Sequence, residues 1–228
     1  MEAGNTTYSH IDELDEQIAL FPLAGALLLP AGNMPLNIFE PRYLAMFDDA
    51  LKGNRLIGVI QPRFDLEEAL MKTDEQQAPL CEVGCVGRIT AHQESGEGRM
   101  MINLAGITRF QLLEEVANNN GYRRAKVDYY PGDLQDDTSE IDAVDREGLL
   151  QTFKQFLEAN DMDADWDGVR EAGNQTLVNT LSMMSPFGPA EKQALLEAPD
   201  LKTRAETLVA ITEIMLARAA GDATSTLQ

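Results

Sequence analysis

The sequence predicts an α+β protein, with a β-rich N-terminal half and a helical C-terminal part. The first observation is that short apolar runs alternate with turn residues from residue 18 to about 131, which is typical of a small barrel or sandwich. The second is that apolar residues recur every three or four positions after residue 145, the period of amphipathic helices. We therefore expect a barrel-like β structure followed by a bundle of three to four helices.

Two stretches of the first half carry the strongest strand signals. Residues 56–60 form a continuous apolar run, which fits a strand that is covered on both faces. Residues 81–92 alternate, so that Cys81 and Cys85 share an apolar face and His92 lies on the polar face. We predict further strands at 100–104, 110–112 and 125–129, turns at 95–98 and 118–121, and a polar surface excursion at 65–79.

Helix signals occur once among the strands and again after residue 145. Pro41 suits the first helical turn, where a missing N–H is harmless, and Gly53 is placed to end that helix. In the second part, apolar faces predict one helix over 149–157 and another over 166–184, which is weakened by Gly173. Two more helices are expected, with starts at Pro189 and Asp200 and a stop at Pro199.

The net charge is −20, but the acidic residues are concentrated in three stretches. Residues 1–17, 133–145 and 158–167 hold 16 of the 38 acidic residues and contain no lysine or arginine. The rest of the chain is close to balance, with 22 acidic against 18 basic residues. Sequence-independent binding to nucleic acid needs a basic surface that releases counterions, so we expect no nucleic-acid partner.

These features divide the chain into five predicted segments. They are an acidic disordered leader at 1–17, a β-rich domain at 18–132, an acidic connector at 133–145, a helical subdomain at 146–220 and a flexible tail at 221–228.

The N-terminal part of the chain lacks the features of an export signal. The first basic residue is Arg42, whereas a secretory signal needs positive charge before its apolar core. No run approaches the ~20 apolar residues of a membrane span. We therefore expect a cytoplasmic protein with no membrane partner.

The stretch from Leu20 to Tyr43 is the most informative part of the chain. It reads LFPLAGALLLPAGNMPLNIFEPRY, two proline-punctuated apolar runs that end in a step into a helix. This stretch resembles the opening signature of the Lon protease N-terminal domain family, the substrate-recognition part of an ATP-dependent protease. Three later segments are similar to motifs of that family: a central strand at 84–89 (GCVGRI), a hairpin at 106–110 (GITRF) and a following strand at 122–127 (YRRAKV). Together the matches cover about residues 18–131.

The resemblance implies a fold and a role. The family's fold for this half is a PUA-like pseudo-barrel with helices after it, and its role is recognition of unfolded or tagged polypeptide. Residues 183–189 (MMSPFGP) resemble the tail of small bacterial members that stand alone. On this basis we expect a non-catalytic binding module, an adaptor or chaperone-like binder of polypeptide, with no cofactor and with a AAA+ protease as a candidate partner.

The motor and the peptidase of a complete Lon protease have no counterpart in these residues. A P-loop needs Gly-Lys-Ser or Gly-Lys-Thr, because backbone N–H groups and the lysine hold the phosphates. None of the six lysines follows a glycine, and the Ser-Lys peptidase segment is also missing. We therefore expect no ATP-dependent proteolysis by this chain alone.

Metal and hydrolase sites are disfavoured by the strand pattern at 81–92. Cys81 and Cys85 lie on the face opposite His92, so the three cannot converge, and a Cys-x-x-x-Cys strand lacks the turn of a zinc knuckle. A nucleophile also needs an adjacent base, and the only other histidine is His10 in the leader. We expect buried thiols, no metal and no catalytic residues. The alternative is a small hydrolase or small-molecule-binding protein with a pocket between barrel and helices.

Apolar residues in and after the signature are the candidates for peptide binding. Alternation places Leu36 and Ile38 on one face and Phe39 on the other, so one set can face the core and the other a groove. The sequence leaves open which set is exposed. The candidate peptide-binding residues are Met34, Leu36, Ile38, Phe39, Met184 and Phe187.

Three polar residues of the motifs invite a catalytic interpretation, but a structural one is favoured. Glu40 precedes the helix at Pro41, where a carboxylate interacts well with the helix dipole. Arg42 and Arg109 can brace loops through bidentate hydrogen bonds. We therefore predict structural roles for all three.

Overall fold

The computed structural model of the protein describes residues 1–63, 78–117, 120–135 and 143–225, with side chains described up to residue 219. Within these ranges the strands are β1 (Glu2–Ala3), β2 (Thr6–Thr7), β3 (Gln17–Pro22), β4 (Asn33–Ile38), β5 (Leu56–Pro62), β6 (Leu80–Glu94), β7 (Met100–Val116) and β8 (Arg123–Tyr129). The α-helices are α1 (Pro41–Lys52), α2 (Arg146–Ala159), α3 (Trp166–Glu171), α4 (Asn174–Met184), α5 (Pro189–Glu197) and α6 (Leu201–Ser225). Short 3-10 helices lie at Ile11–Glu13 and Pro131–Leu134. The predicted α+β class is confirmed.

Five strands close into a barrel. They follow the order β7, β6, β5, β3 and β8, and β8 pairs again with β7. The β3–β5 pairing is parallel and the other pairings of the ring are antiparallel. The sixth strand of the sheet, β4, pairs antiparallel with the N-terminal part of β7 and lies at the edge of the sheet.

The chain forms two compact units. The first contains residues 1–136 together with 186–196, and the second contains residues 137–185 and 197–228. The predicted boundary at 146 is therefore wrong for the segment that carries α5, which folds with the barrel. The side-chain amide of Gln61 donates to Pro189 O and to Gln193 Oε1, both at 3.0 Å, and Gln193 Nε2 donates to Val83 O at 3.1 Å. These buried hydrogen bonds hold α5 against β5 and β6.

The N-terminal segment is ordered, so the predicted disordered leader is wrong. Strands β1 and β2 form a hairpin, and Ala3, Tyr8 and Leu14 are buried in the barrel core. Arg88 Nη1 donates to Ala3 O at 3.2 Å. Three apolar residues in a polar segment are enough to anchor it, because each one fills space inside the barrel cluster.

Removing the hydroxyl of Tyr129 is expected to loosen this N-terminal segment. The hydroxyl donates to Asp15 O at 2.6 Å, and burial raises the pKa of Tyr129. Tyr129→Phe should lower the free energy of unfolding by ~1 kcal/mol and speed proteolysis within residues 1–16. Tyr130→Phe is the matched control, since its hydroxyl makes only a 3.3 Å bond to Gln111. Equal protease sensitivity in the two variants would contradict the assigned role.

Strand β7 runs unbroken through the segment predicted to be a hairpin. Gly106 lies in mid-strand, and a Cβ atom there would lie 2.1 Å from Leu29 O. The glycine therefore marks the close approach of another backbone segment, and the motif at 106–110 that resembles a hairpin of the family lies within one strand. The turn at 95–98 is confirmed, with Gly96 and Gly98 at φ +82° and +72°. The predicted excursion at 65–79 and turn at 118–121 fall largely outside the described residues.

In the second unit the described helices are α2, α3, α4 and α6. The helix predicted over 166–184 is divided, because Ala172 and Gly173 both have extended backbone between α3 and α4. Asp145 and Asp165 accept backbone N–H groups at the starts of α2 and α3, so residues of the acidic stretches cap helices. Helix α6 continues to Ser225, so it extends into the tail predicted to start at residue 221.

Candidate functional site

The open edge of β4 is the first element of the candidate site. Strand β4 pairs with β7 along one side, and its other side has no strand partner among the described residues. An edge strand presents unpaired N–H and C=O groups that can pair with another extended chain. Pro35 lies in the middle of this strand, which is consistent with an edge position.

Alternation along β4 separates core residues from exposed ones. Met34 and Ile38 are buried, Leu36 is half-buried, and Phe39, directly after the strand, is 61% exposed. The sequence could not decide which face was covered, and the structure assigns the even-numbered face to the core. Met34 and Ile38 therefore fill the core, and the binding role predicted for them is not retained.

A second exposed apolar side chain lies beside Phe39. Met101 of β7 is opposite Asn37 in the strand register and is 51% exposed. Because Phe39 follows Asn37 by two residues, its side chain and that of Met101 lie near one corner of the sheet. We call the residues Asn37, Phe39 and Met101 the β4 corner. Sequence reasoning missed Met101, although alternation in the strand predicted at 100–104 would place it opposite the apolar face.

The β4 corner is attached to a well-braced helix start. Arg42 Nε donates to Glu40 Oε2 at 2.9 Å, and the Arg42 guanidinium lies 4.6 Å from the ring centre of Tyr43. The Tyr43 ring packs on Phe21 with ring centres 4.4 Å apart. Glu40 and Arg42 thus connect the end of β4 to α1, so Phe39 is held between two regular elements.

The remaining candidates lie elsewhere. Phe187, in the first unit, is buried and belongs to the core, so its predicted binding role is not retained either. Met184, at the end of α4 in the second unit, is 78% exposed. Of the six predicted residues, Phe39 and Met184 are available to a partner, and Leu36 is available in part.

Arg109 is at the centre of a buried polar cluster. Its Nη2 donates to Asp133 Oδ1 at 2.8 Å, its backbone N–H donates to Asp133 Oδ2 at 2.8 Å, and its Nη1 donates to Leu196 O at 3.3 Å. Burial alone would lower the pKa of Arg109, but the hydrogen bonds from Arg109 to Asp133 outweigh it and the pKa is raised. Asp133 is therefore a buried partner, which corrects its assignment to a solvated connector.

The cysteines and histidines do not come together. Cys81 and Cys85 are buried on β6, whereas His92 is exposed and packs edge-on against Phe47 with ring centres 5.4 Å apart. His10 lies beside the 3-10 helix at Ile11–Glu13. In the described part of the chain, no group of three or more His, Cys, Asp or Glu residues is arranged to hold a metal ion.

A cavity lies within the described residues of each unit. In the first unit, a cavity of about 320 Å³ lies beside α1, and Asp49, Arg55, Tyr122 and Arg124 are among the lining residues. In the second unit, a groove of about 540 Å³ runs between α2 and α6. Neither of these two is lined by a cysteine or histidine. Sequence reasoning identified neither, because the lining residues come from segments far apart in the chain.

Comparison with known proteins identifies the family. Residues 17–213 match the model of the ATP-dependent protease La (LON) substrate-binding domain. The chain belongs to this family. The range matched to the LON substrate-binding domain includes most of each unit. It extends well beyond the residues 18–131 that suggested the resemblance.

Curated relatives of this LON substrate-binding domain are much longer proteins. Lon protease 2 of Sorangium cellulosum is 28% identical over 206 residues, which cover 86% of this chain and 24% of that protein. The Lon protease of Parabacteroides distasonis is 28% identical over 212 residues, with 88% and 24% covered. The chain therefore spans about a quarter of the length of these relatives.

Two solved structures share the fold. The Lon N-terminal domain protein from Xanthomonas campestris aligns with a TM-score of 0.58 at 22% identity, over 85% of this chain and 97% of that one. The N-terminal domain of the Mycobacterium avium complex Lon protease aligns with a TM-score of 0.63 at 15% identity, over 86% of this chain and 98% of that one.

Among the helices within the described ranges, none is long and apolar enough to cross a bilayer.

Proposed function

We propose that this LON substrate-binding domain is a non-catalytic recognition module that captures extended segments of polypeptide at the β4 edge and the β4 corner. The observation that carries the proposal is the combination of an open strand edge with two exposed apolar side chains, Phe39 and Met101. Backbone pairing with an edge strand tolerates many sequences, whereas side-chain contacts select among them. Such a site suits a protein that must bind varied clients.

The β4 corner would provide the apolar part of the affinity. Covering a side chain of the size of phenylalanine contributes ~1.5–3 kcal/mol, which corresponds to roughly tenfold or more in Kd. The corner is held by β4, β7 and the braced start of α1, so little order has to be gained on binding. The net charge of −20 would favour clients with basic residues through long-range attraction.

Phe39→Ala and Met101→Ala are expected to weaken client binding about tenfold each, because each removes apolar surface that the client would cover. The measurement is fluorescence anisotropy with a labelled, permanently unfolded casein, for which we expect a Kd on the order of micromolar. Leu113→Ala is the matched control. Leu113 is also on β7 and 61% exposed, but it lies at the other end of the strand, where β7 pairs with β8.

Synthetic peptides test the backbone contribution separately. In an extended peptide, the N–H groups of odd-numbered residues point to one side and those of even-numbered residues to the other. N-methylation of one of these two sets removes the donors that pair with β4, so one of the two methylated peptides should not bind. Unchanged affinity of the Phe39→Ala/Met101→Ala double variant, together with indifference to both methylation patterns, would refute the proposed site.

We further propose that captured clients are passed to an ATP-dependent protease, since the curated relatives are Lon proteases. Affinity capture from the native host, followed by mass spectrometry, should recover a AAA+ machine. A variant that binds casein but no longer recovers the AAA+ machine would separate client capture from delivery. Recovery of clients alone would restrict the function to chaperone-like binding.

A further inference from the structure

The cavity beside α1 has the dimensions of a small-ligand site. Its volume of about 320 Å³ is at the lower end of the ~300–1,000 Å³ range of ligand pockets. Its walls come from the second half of α1, the starts of β3 and β5, and the segment that enters β8. It shares no lining residue with the β4 corner, and a ligand of this cavity is independent of the proposed function.

Two arginines of this cavity have unused hydrogen-bonding capacity. Arg124 Nη2 donates to Gln17 O at 3.3 Å, and the Arg55 guanidinium has neither a hydrogen bond nor an ion pair within the described residues. Neither arginine pairs with a described carboxylate, in a chain with 38 acidic and only 18 basic residues. A guanidinium has five N–H donors in a planar fork, which matches the geometry of a carboxylate.

The backbone at Arg55 is strained in a way that glycine would relieve. Arg55 has φ +64°, a left-handed conformation that costs a residue with a Cβ about 1–2 kcal/mol. Asn54 and Gly53, which tolerate such angles more readily, are the two residues that precede it. A strained residue with an unpaired charge at a cavity wall points to a use for its side chain.

The lining of the cavity also contains two carboxylates, Asp15 and Asp49. Hydrogen bonds from Lys52, Tyr122 and Asn120 hold the pKa of Asp49 below its usual value, and these bonds occupy both carboxylate oxygens. Asp15 Oδ1 accepts from Asn54 Nδ2 at 2.9 Å, and its second oxygen has no described partner. Two fixed negative charges disfavour a dianion such as phosphate, whereas the open oxygen of Asp15 suits an N–H donor.

We propose that this cavity binds a carboxylate carried by a molecule that also has an N–H donor, as a free α-amino acid or the C-terminal residue of a polypeptide does. Arg55 and Arg124 receive the carboxylate, and Asp15 accepts the N–H. The site selects for one negative charge placed next to one donor. It thus differs from the β4 edge, which would recognise backbone anywhere along a chain.

The test titrates four probes into uniformly ¹⁵N-labelled protein. N-acetyl-leucine mimics a chain terminus, free leucine carries an ammonium, N-acetyl-leucinamide lacks the carboxylate, and inorganic phosphate is the competing anion. Saturable shifts of the Asn54 side-chain amide and the Tyr122 backbone amide are expected with the two carboxylates, at a Kd of about 1 mM or below. Tighter binding of N-acetyl-leucine would identify the ligand as a polypeptide C-terminus, and tighter binding of leucine would identify it as a free amino acid. Equal binding of the amide, tighter binding of phosphate, or no saturable shift with any probe would overturn the proposal.

Arg55→Gly separates binding from structure. The variant removes the guanidinium and suits φ +64°, so the melting temperature should stay unchanged or rise while N-acetyl-leucine binding falls at least about tenfold. Arg99→Ala, in the exposed turn between β6 and β7, is the control and should bind as the parent does. Casein binding should be unaffected by Arg55→Gly. A folded Arg55→Gly variant with unchanged affinity for N-acetyl-leucine would also overturn the proposal.

Discussion

Gly106→Ala is expected to lower the free energy of unfolding by roughly 3 kcal/mol or more. The new Cβ would lie 2.1 Å from Leu29 O and 2.9 Å from Leu29 C. The backbone cannot move aside easily, because Gly106 N donates to Gly32 O at 2.8 Å and Gly106 O accepts from Ala31 N at 3.0 Å. A loss of this size is a large part of the ~5–15 kcal/mol that stabilises a typical domain.

Urea unfolding followed by far-UV circular dichroism measures this loss. Gly132→Ala is the matched control, since a Cβ at Gly132 would meet nothing within 4 Å and surface changes of this kind stay within about 0.5 kcal/mol. If the two variants had the same midpoint and the same slope, the close approach of residues 29–32 to β7 would be wrong.

Arg109→Met is the second large effect, with an expected loss of about 3–5 kcal/mol. The substitution leaves the Asp133 carboxylate buried without its cationic partner and takes a donor from Leu196 O. The side chains of the pair are only 6% and 10% exposed, so water cannot readily replace the lost bonds. Because Arg109 contacts both the 3-10 helix at Pro131–Leu134 and α5, the loss should spread to both.

A double-mutant cycle isolates the ion pair. Arg109→Met combined with Asp133→Leu should recover much of the stability, because replacing both partners removes the unpaired charge. Arg170→Met is the control, since its ion pair with Asp167 is exposed and exposed pairs contribute less than about 1 kcal/mol. A cost for Arg109→Met no greater than that of Arg170→Met would refute the structural role of the cluster.

The parts of the fold that sequence predicted are those fixed by neighbouring residues. The strands predicted from the apolar run at 56–60 and from the alternation at 81–92 are present, as is the helix that Pro41 opens. Each is determined within a window of a dozen residues, because side-chain period and capping are local properties. The family resemblance rested on the same kind of local signal.

The N-terminal hairpin could not be predicted in this way. Its polar composition suggested a solvated leader, but Tyr129 binds Asp15 and Arg88 binds Ala3 from distant parts of the chain. The position of α5 was missed for the same reason. Its period is that of any amphipathic helix, whereas its place beside the barrel depends on Gln61, more than a hundred residues earlier.

The candidate site was predictable in part. Alternation separated Phe39 from Ile38, but the pairing of β4 with β7 decided which of the two is covered. Met101 and Arg55 were not recognised, because their significance comes from strand register and backbone conformation. Both properties are set by tertiary structure.

The proline in β4 limits how firmly this edge can hold a chain. In a sheet, proline is tolerated at an edge with its nitrogen on the outer side, so an incoming segment opposite Pro35 lacks one hydrogen-bond donor. The missing donor shortens the continuous hydrogen-bond ladder that a bound segment can form with β4. It also disfavours pairing of β4 with a strand from a second copy of the protein. If clients bind at this edge as proposed, residue 35 would favour their fast release, and it also disfavours growth of the sheet into fibrils.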